Sequence, residues 1–389
     1  MDQLAGSSRL LREINETAAL GLLLEHGPLT RGHLRELTGL AKPTTSEVMR
    51  RLQEAGLAKV VGQTTGGPGR NADVYAVNPD AAYAAALTLS TPTNTLVTAV
   101  CDLTGQARVR EETTVDFEAT DPVEAVAGAI RAACKQARVP LRKLDHVQLG
   151  VPGSYDERAD VIRYVDVPGW SRPGLIGEIR SRLRTEVSVD NDVNLAAVAE
   201  RSRGIAAGSD GFALLWLGDG LGLAIDLGGK LLRGARGGAG EIGYIPVGLP
   251  GQLQGVQDFQ DLVGGPAIRE LALRHGITAD TGHDAVAAAC ARPHDSPFLE
   301  ELAVRVAVGL AAVVAVLDPP LVVLSGEVGQ AGGTALQDAV STALRSVSVL
   351  DTTVAATSLT DDVVLLGALD ATLAAVRAAL LAVPPPRNS

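Results

Sequence analysis

Cysteine is scarce: the 389-residue chain has three, and Cys101, Cys134 and Cys290 stand far apart without a C-x-x-C pair. That argues against a disulfide framework and against a thiolate zinc site. The three read as small buried hydrophobes. Long apolar runs are also missing, since the longest uncharged one, Val306 to Leu317, is too short to span a bilayer. The polar start MDQLAGSSRLLREINE does not fit a signal peptide. A cytoplasmic location with no membrane contact is therefore expected. No repeat at solenoid spacing occurs, and the length suits two or three compact domains. A positive charge excess is absent as well, and the net charge of −11 normally counts against nucleic acid as a partner. The charge is uneven, however: residues 1 to 79 hold nine Lys or Arg and eight Asp or Glu, which leaves −12 on the rest.

That first segment carries a pattern of its own. Leu10, Leu11, Ile14, Ala18 and Leu22 fall at helical spacing over residues 8 to 25. Pro28 and Thr30 then mark a stop and a new N-cap, and Gly39 ends a short helix. Pro43 suits the first turn of the next helix, KPTTSEVMRRLQEAGL, and Gly56 suits its C-terminal cap. This is the outline of a helix-turn-helix. Val48, Leu52 and Ala55 share one face of the third helix, so Lys42, Ser46, Met49, Arg50 and Gln53 are expected on the other, facing a DNA major groove. Thr44 and Thr45 are placed to bond phosphates at the positive end of the helix. Two strands follow, joined by QTTGGPGRNA, a wing carrying Arg70. The expected DNA-contacting set is Lys42, Pro43, Thr44, Thr45, Ser46, Arg50 and Arg70, and the partner is a double-stranded operator.

Asn78-Pro79-Asp80 marks a boundary, which divides the chain into residues 1–79 and 80–389. Beyond it, strands and helices alternate in an α/β rhythm. The densest signal is Leu217 to Pro246, where glycine recurs between strand-like residues, as in a hairpin that holds a ligand closely.

The order and spacing of these motifs resemble the ROK family of repressors and sugar kinases. The carriers are Gly218-Asp219-Gly220-Leu221-Gly222, Gly240-Glu241-Ile242-Gly243-Tyr244, the segment Val189 to Asn194, and the late strand ending in Ser325-Gly326-Glu327. The resemblance implies a winged helix-turn-helix followed by a two-lobed actin-like ATPase fold, with an effector between the lobes. It implies effector contacts at Gly153, Asp166, Asn191, Asp192, Glu241, Tyr244 and Asp261, the last sharing its claim with Gln260. Asn191 and Asp192 also suit a helix-capping turn, and Trp170 either faces a sugar ring or closes the core.

Three departures bear on chemistry. Where the family's kinases have D-x-G-G-T, this chain reads Ser90-Thr91-Pro92-Thr93-Asn94, and Pro92 has no backbone donor for a phosphate. Asp219 stands where a Thr is usual, and a carboxylate there repels ATP phosphates. The family's zinc ligands are also replaced: Tyr244 takes the place of a His, and Gln252 to Phe259 contains no cysteine. The expectation is a regulator, a repressor in its commonest form, that uses no metal or nucleotide cofactor. It binds a sugar or sugar derivative, as a homodimer or dimer of dimers. The competing readings are an ATP-dependent sugar kinase with an appended DNA-binding domain, or a ligand-independent DNA-binding scaffold.

Overall fold

The structure, a computed structural model, describes residues 2–64, 71–91, 93–247, 258–291, 296–360 and 362–382. The chain opens with α1 (Asp2–His26), a short β1 (Leu29–Thr30), α2 (Arg31–Thr38), α3 (Lys42–Glu54), β2 (Ala58–Thr64) and β3 (Ala72–Val77). The three strands form an antiparallel sheet in the order β1-β3-β2. Thr30 caps α2 by accepting the His33 N–H at 3.2 Å, and Gly39 ends that helix in the left-handed region at φ 70°. Pro43 lies in the first turn of α3. This is a winged helix, and Arg70 lies outside the described residues.

Two helix faces differ from the sequence reading. In α1, Leu10, Leu11 and Ile14 are exposed, while Ala19, Leu20 and Leu23 are buried, so the C-terminal half provides the packing surface. In α3, Met49 is fully buried and Ala55, the C-cap residue, is exposed. Adding Met49 widens the inner stripe to Thr45, Val48, Met49 and Leu52, the three-to-four residue steps of one broad face.

After a 3-10 turn at Pro79–Ala81 the first lobe begins. It contains β4 (Tyr83–Ser90), β5 (Thr95–Asp102), β6 (Ala107–Thr114), α4 (Pro122–Gln136), β7 (Leu144–Val151), the hairpin β8 (Ser154–Asp156) and β9 (Val161–Arg163), α5 (Leu175–Leu183) and β10 (Glu186–Asn191). Its main sheet runs β10-β7-β4-β5-β6, with β4, β5 and β6 as an antiparallel meander and β7 and β10 parallel to β4. Apolar side chains of α4 and α5 share one core with inward residues of this sheet, such as Leu87, Leu149 and Val187.

The second lobe follows with α6 (Asp192–Arg203), β11 (Gly211–Leu217), β12 (Leu221–Leu227), α7 (Phe259–Val263), α8 (Gly265–Arg274), α9 (Gly282–Cys290), α10 (Pro297–Leu317), β13 (Leu321–Ser325), α11 (Gly326–Val347) and β14 (Thr353–Ala356). Its sheet runs β12-β11-β13-β14. The chain then returns to the first lobe through α12 (Val363–Leu381), which packs on α6, β4 and β7.

The sequence reading did not anticipate α12. Among the described helices it alone is long and apolar enough to cross a membrane, but Val363, Leu365, Leu369, Leu373 and Val376 are buried inside the protein. Each such side chain contributes roughly 1.5–3 kcal/mol on burial, so the helix is accounted for by core packing. The same helix joins the domains. Leu365, Ala368, Leu369 and Val376 lie in one apolar cluster with Ala19, Leu20 and Leu23 of α1 and Ala84 and Ala86 of β4. The winged helix thus shares a core with the first lobe.

Candidate functional site

A cavity of about 970 Å³ opens between the lobes. Its floor is made where β10 ends and α6 begins. Asn191 caps α6, its Oδ1 accepting the N–H groups of Val193 at 2.8 Å and Asn194 at 3.3 Å. Its Nδ2 donates to the Gly153 carbonyl at 3.1 Å, which fixes the turn after β7 to the helix. The helix starts at Asp192, so the capping turn and the cleft wall are the same residues.

Asp192 follows, with Oδ1 accepting the Val193 N–H at 2.8 Å. It retains some solvent-accessible surface, yet so many protein atoms surround it that its charge is poorly hydrated. Burial, with Glu327 and Glu241 as further contributors, pushes its carboxyl up to about 7. Asp190, just before it, is buried and held by Arg233 at 2.6 Å and by Asn194 at 2.9 Å, so the strand end is braced from both sides.

Opposite the floor stands the turn 237–244. Gly240 has φ 93°, and a Cβ there would collide with the Leu223 carbonyl, so only glycine lets the turn lie against β12. That contact aims Glu241 into the cleft, where Oε1 accepts the Ser154 hydroxyl at 2.6 Å. Tyr244 lines the mouth, exposed, one 3-10 turn further on.

The structure brings Gly153, Asn191, Asp192, Glu241, Tyr244 and Asp261 together around one cavity. It does not bring Asp166, which is exposed and absent from the cavity wall, because the 168–170 turn leads away into the first lobe. Trp170 closes the core: it is fully buried, edge-on to Phe117 with ring centroids 5.7 Å apart. Gln260 spends its amide on the first glycine turn, accepting the Leu221 N–H at 3.0 Å and donating to the Asp219 carbonyl at 2.9 Å. Asp261 is the neighbour that offers a carboxylate to the cavity.

At the other end lie Asp219 and Glu327. The Glu327 carboxylate rests against Gly218, where any side chain would collide with it. Counting Asp192, Glu241, Asp258, Asp261, Asp284 and Asp362 as well, eight carboxylates line the cavity, and no Lys or Arg does among the described residues. Sequence reasoning missed Ser154, Tyr164, Asp284 and Asp362, which carry no local motif and are gathered only by folding. The run Gln252 to Gln257 lies outside the described residues, as does Pro92; Ser90 and Thr91 line the cavity.

On α3, Lys42, Pro43 and Arg50 are exposed, and Thr44 and Ser46 are partly so. Thr45 is buried, its hydroxyl donating to the Ala41 carbonyl at 3.2 Å, so its side chain is not on the outer face. Reading the residue as a phosphate contact from its position near the helix start overlooked this inward turn. Ala41 supplies no side-chain cap, which leaves the positive end of α3 to other acceptors. Arg50 is held on its own helix by Glu47 at 2.6 Å and by Glu54. The Arg50 and Arg51 hydrogen bonds hold the Glu47 carboxyl down at about 2.

A winged helix ahead of two lobes that flank a polar cleft defines a two-part protein built on the actin-like kinase fold. Residues 92–375 match the ROK family, and the chain belongs to it. Among curated relatives, the DNA-binding transcriptional dual regulator NagC of Escherichia coli K12 is 26% identical over 246 residues, 62% of this chain and 59% of that protein. The xylose repressor of Bacillus subtilis is 23% identical over 249 residues, 62% of each. The chain thus spans less than two thirds of the length of these relatives. Among solved structures, a ROK family transcriptional regulator, a homolog of the E. coli MLC protein, superposes with a TM-score of 0.74 at 20% identity, covering 96% of this chain and 98% of its own. The ROK hexokinase of Thermus thermophilus gives 0.62 at 25% identity, covering 76% and 99%.

Proposed function

We propose that this chain is a DNA-binding transcriptional regulator, a repressor, whose cleft binds an unphosphorylated sugar or sugar derivative and has no kinase activity. The observation that carries the reading is the cavity lining. Asp192 and Glu241 supply acceptors for hydroxyl groups, while the region that would face phosphates presents Asp219 and Glu327 with no Lys or Arg among the described residues. Phosphoryl transfer depends on positive charge and backbone donors around the phosphates, and this lining offers the opposite charge. No nucleotide or metal cofactor is part of the reading.

The DNA-binding part rests on α3, where Lys42, Thr44 and Ser46 stand at an uncapped helix start and Arg50 lies exposed two turns further on. Together with Arg70, expected from the sequence to join them, these residues contact a double-stranded operator. A two-fold homodimer, alone or paired as a dimer of dimers, sets two such helices on half-sites.

The route between the sites is α12. Val363, Val364 and Leu365 at its start line the cavity, and the same helix shares an apolar core with α1 of the winged helix. A ligand that favours one lobe arrangement biases the placement of the reading helices through its unequal affinity for the two states. Thermal unfolding of the protein against a panel of neutral sugars, sugar phosphates and ATP tests this. A neutral sugar is expected to raise the midpoint, with no rise in Asp192→Ala. A rise with ATP, together with phosphate transfer to a sugar, would overturn the regulator-only reading.

A further inference from the structure

Tyr164 belongs to no motif, and its backbone is unusual. Its φ is 60°, a left-handed conformation that side chains other than glycine and asparagine rarely adopt. Such backbone persists where the surroundings fix it, and it concentrates at ligand sites.

The fixing contacts are visible. Gly153, at φ 100°, lies directly under the 163–164 peptide: a Cβ on it would collide with the Arg163 carbonyl and sit 3.1 Å from the Tyr164 carbonyl carbon. A Cβ on Gly237 would likewise collide with the Tyr155 carbonyl, and Ser154 donates to Glu241 at 2.6 Å. The Gly153 contact holds the base of the β8–β9 hairpin, and one close backbone contact and one hydrogen bond fasten that hairpin to the Glu241 turn.

The outcome is an aromatic wall at the cavity mouth. The Tyr164 and Tyr244 rings come from these two segments, with centroids 5.8 Å apart and planes tilted by 45°. Both line the cavity, yet they are 63% and 61% exposed. Two tyrosines held this far into solvent, one at a strained φ, gain little from core packing. Their tilt leaves an open V of apolar surface one turn from Glu241.

We propose that Tyr164 and Tyr244 form a subsite for the second group of an extended glycoside, an aryl aglycone or a second sugar ring, whose first ring is held at Asp192 and Glu241. This rests on the sugar-cleft reading above and adds the ligand's size and shape. The cavity, at about 970 Å³, stands at the upper end of the roughly 300–1,000 Å³ range of small-molecule pockets, which leaves room beyond a single sugar ring. An apolar ring face laid on the V removes exposed aromatic surface from water, which favours binding.

The test is isothermal titration of the full-length protein with the methyl and 4-nitrophenyl glycosides of glucose, xylose and N-acetylglucosamine. For the sugar that binds, the aryl member is expected to bind at least tenfold tighter than the methyl member. Tyr164→Gly, which relaxes the backbone at this φ and so keeps the fold, is expected to erase that difference, and its thermal midpoint without ligand should not fall. Tyr164→Phe is expected to retain the difference. Equal affinities for methyl and aryl members, or an equal loss for both in Tyr164→Gly, would overturn this inference and leave the sugar cleft standing. Failure of all six glycosides to bind would defeat the sugar cleft together with it.

Discussion

Replacing Asp192 with Asn probes the cleft through stability as well as binding. The carboxyl titrates at 3.8 in its unperturbed state and at about 7 in the folded chain. Between those values the folded protein holds a proton that the unfolded chain has released. Stability therefore falls as pH rises through this window, and the full cost is present above pH 7. Roughly three pKa units at about 1.4 kcal/mol each give a ceiling of about 4 kcal/mol, and water in the open cleft reduces this to roughly 2–4 kcal/mol. Asn keeps an oxygen for the Val193 N–H, which Asp192 now accepts at 2.8 Å, and carries no charge. Scanning calorimetry of the two proteins should show the variant more stable at pH 8 by roughly 2–5 °C, with the gap closing as pH falls to 4. An offset that is the same at both pH values, or a variant less stable at pH 8, would refute the buried-charge reasoning. Effector affinity supplies the companion measurement. A sugar hydroxyl donating to the carboxylate favours its charged form, so binding to the native protein should tighten as pH rises toward 7 and flatten above it.

Three further outcomes are expected. On an operator fragment selected from random DNA, Arg50→Ala should weaken binding by roughly 1–3 kcal/mol, whereas Glu47→Gln should strengthen it and steepen the salt dependence, because it frees Arg50 from one of its two carboxylates and removes a negative charge from the DNA-facing helix; gel-shift titration at several salt concentrations reads both. Gly240→Ala should cost roughly 3 kcal/mol or more and abolish effector binding, since the new Cβ meets the Leu223 carbonyl at an already left-handed backbone; chemical denaturation and titration check it. Trp170→Ala should cost roughly 3–5 kcal/mol by leaving a cavity in the first lobe while the surviving folded protein binds effector with unchanged affinity; weaker binding would return Trp170 to the pocket.

Local chemistry settled much of this protein before any packing was known. Thr30, Gly39 and Pro43 punctuate the winged helix because capping oxygens, left-handed glycines and first-turn prolines act within a few residues. The glycine turns around Asp219 and Glu241, and the Asn191-Asp192 step, were legible for the same reason: a tight turn leaves a compositional trace. Side-chain direction was less legible. Met49 and Thr45 were read outward and lie inward, since a helix face is fixed by what packs against it rather than by periodicity alone. The family resemblance implies Asp166 as a cleft contact, but the chain at that point leads away from the cavity.

The winged helix, the α/β character of the remainder and most of the cleft floor follow from interactions between residues close along the chain. Tertiary structure alone decided that Trp170 is core, that α12 joins the cleft to the DNA-reading domain, and that Tyr164 meets Tyr244 at the mouth. The last two depend on elements distant in sequence, α12 on α1 and the β8–β9 hairpin on the Glu241 turn. No local pattern encodes such contacts, because they exist only once the apolar faces have been buried against one another.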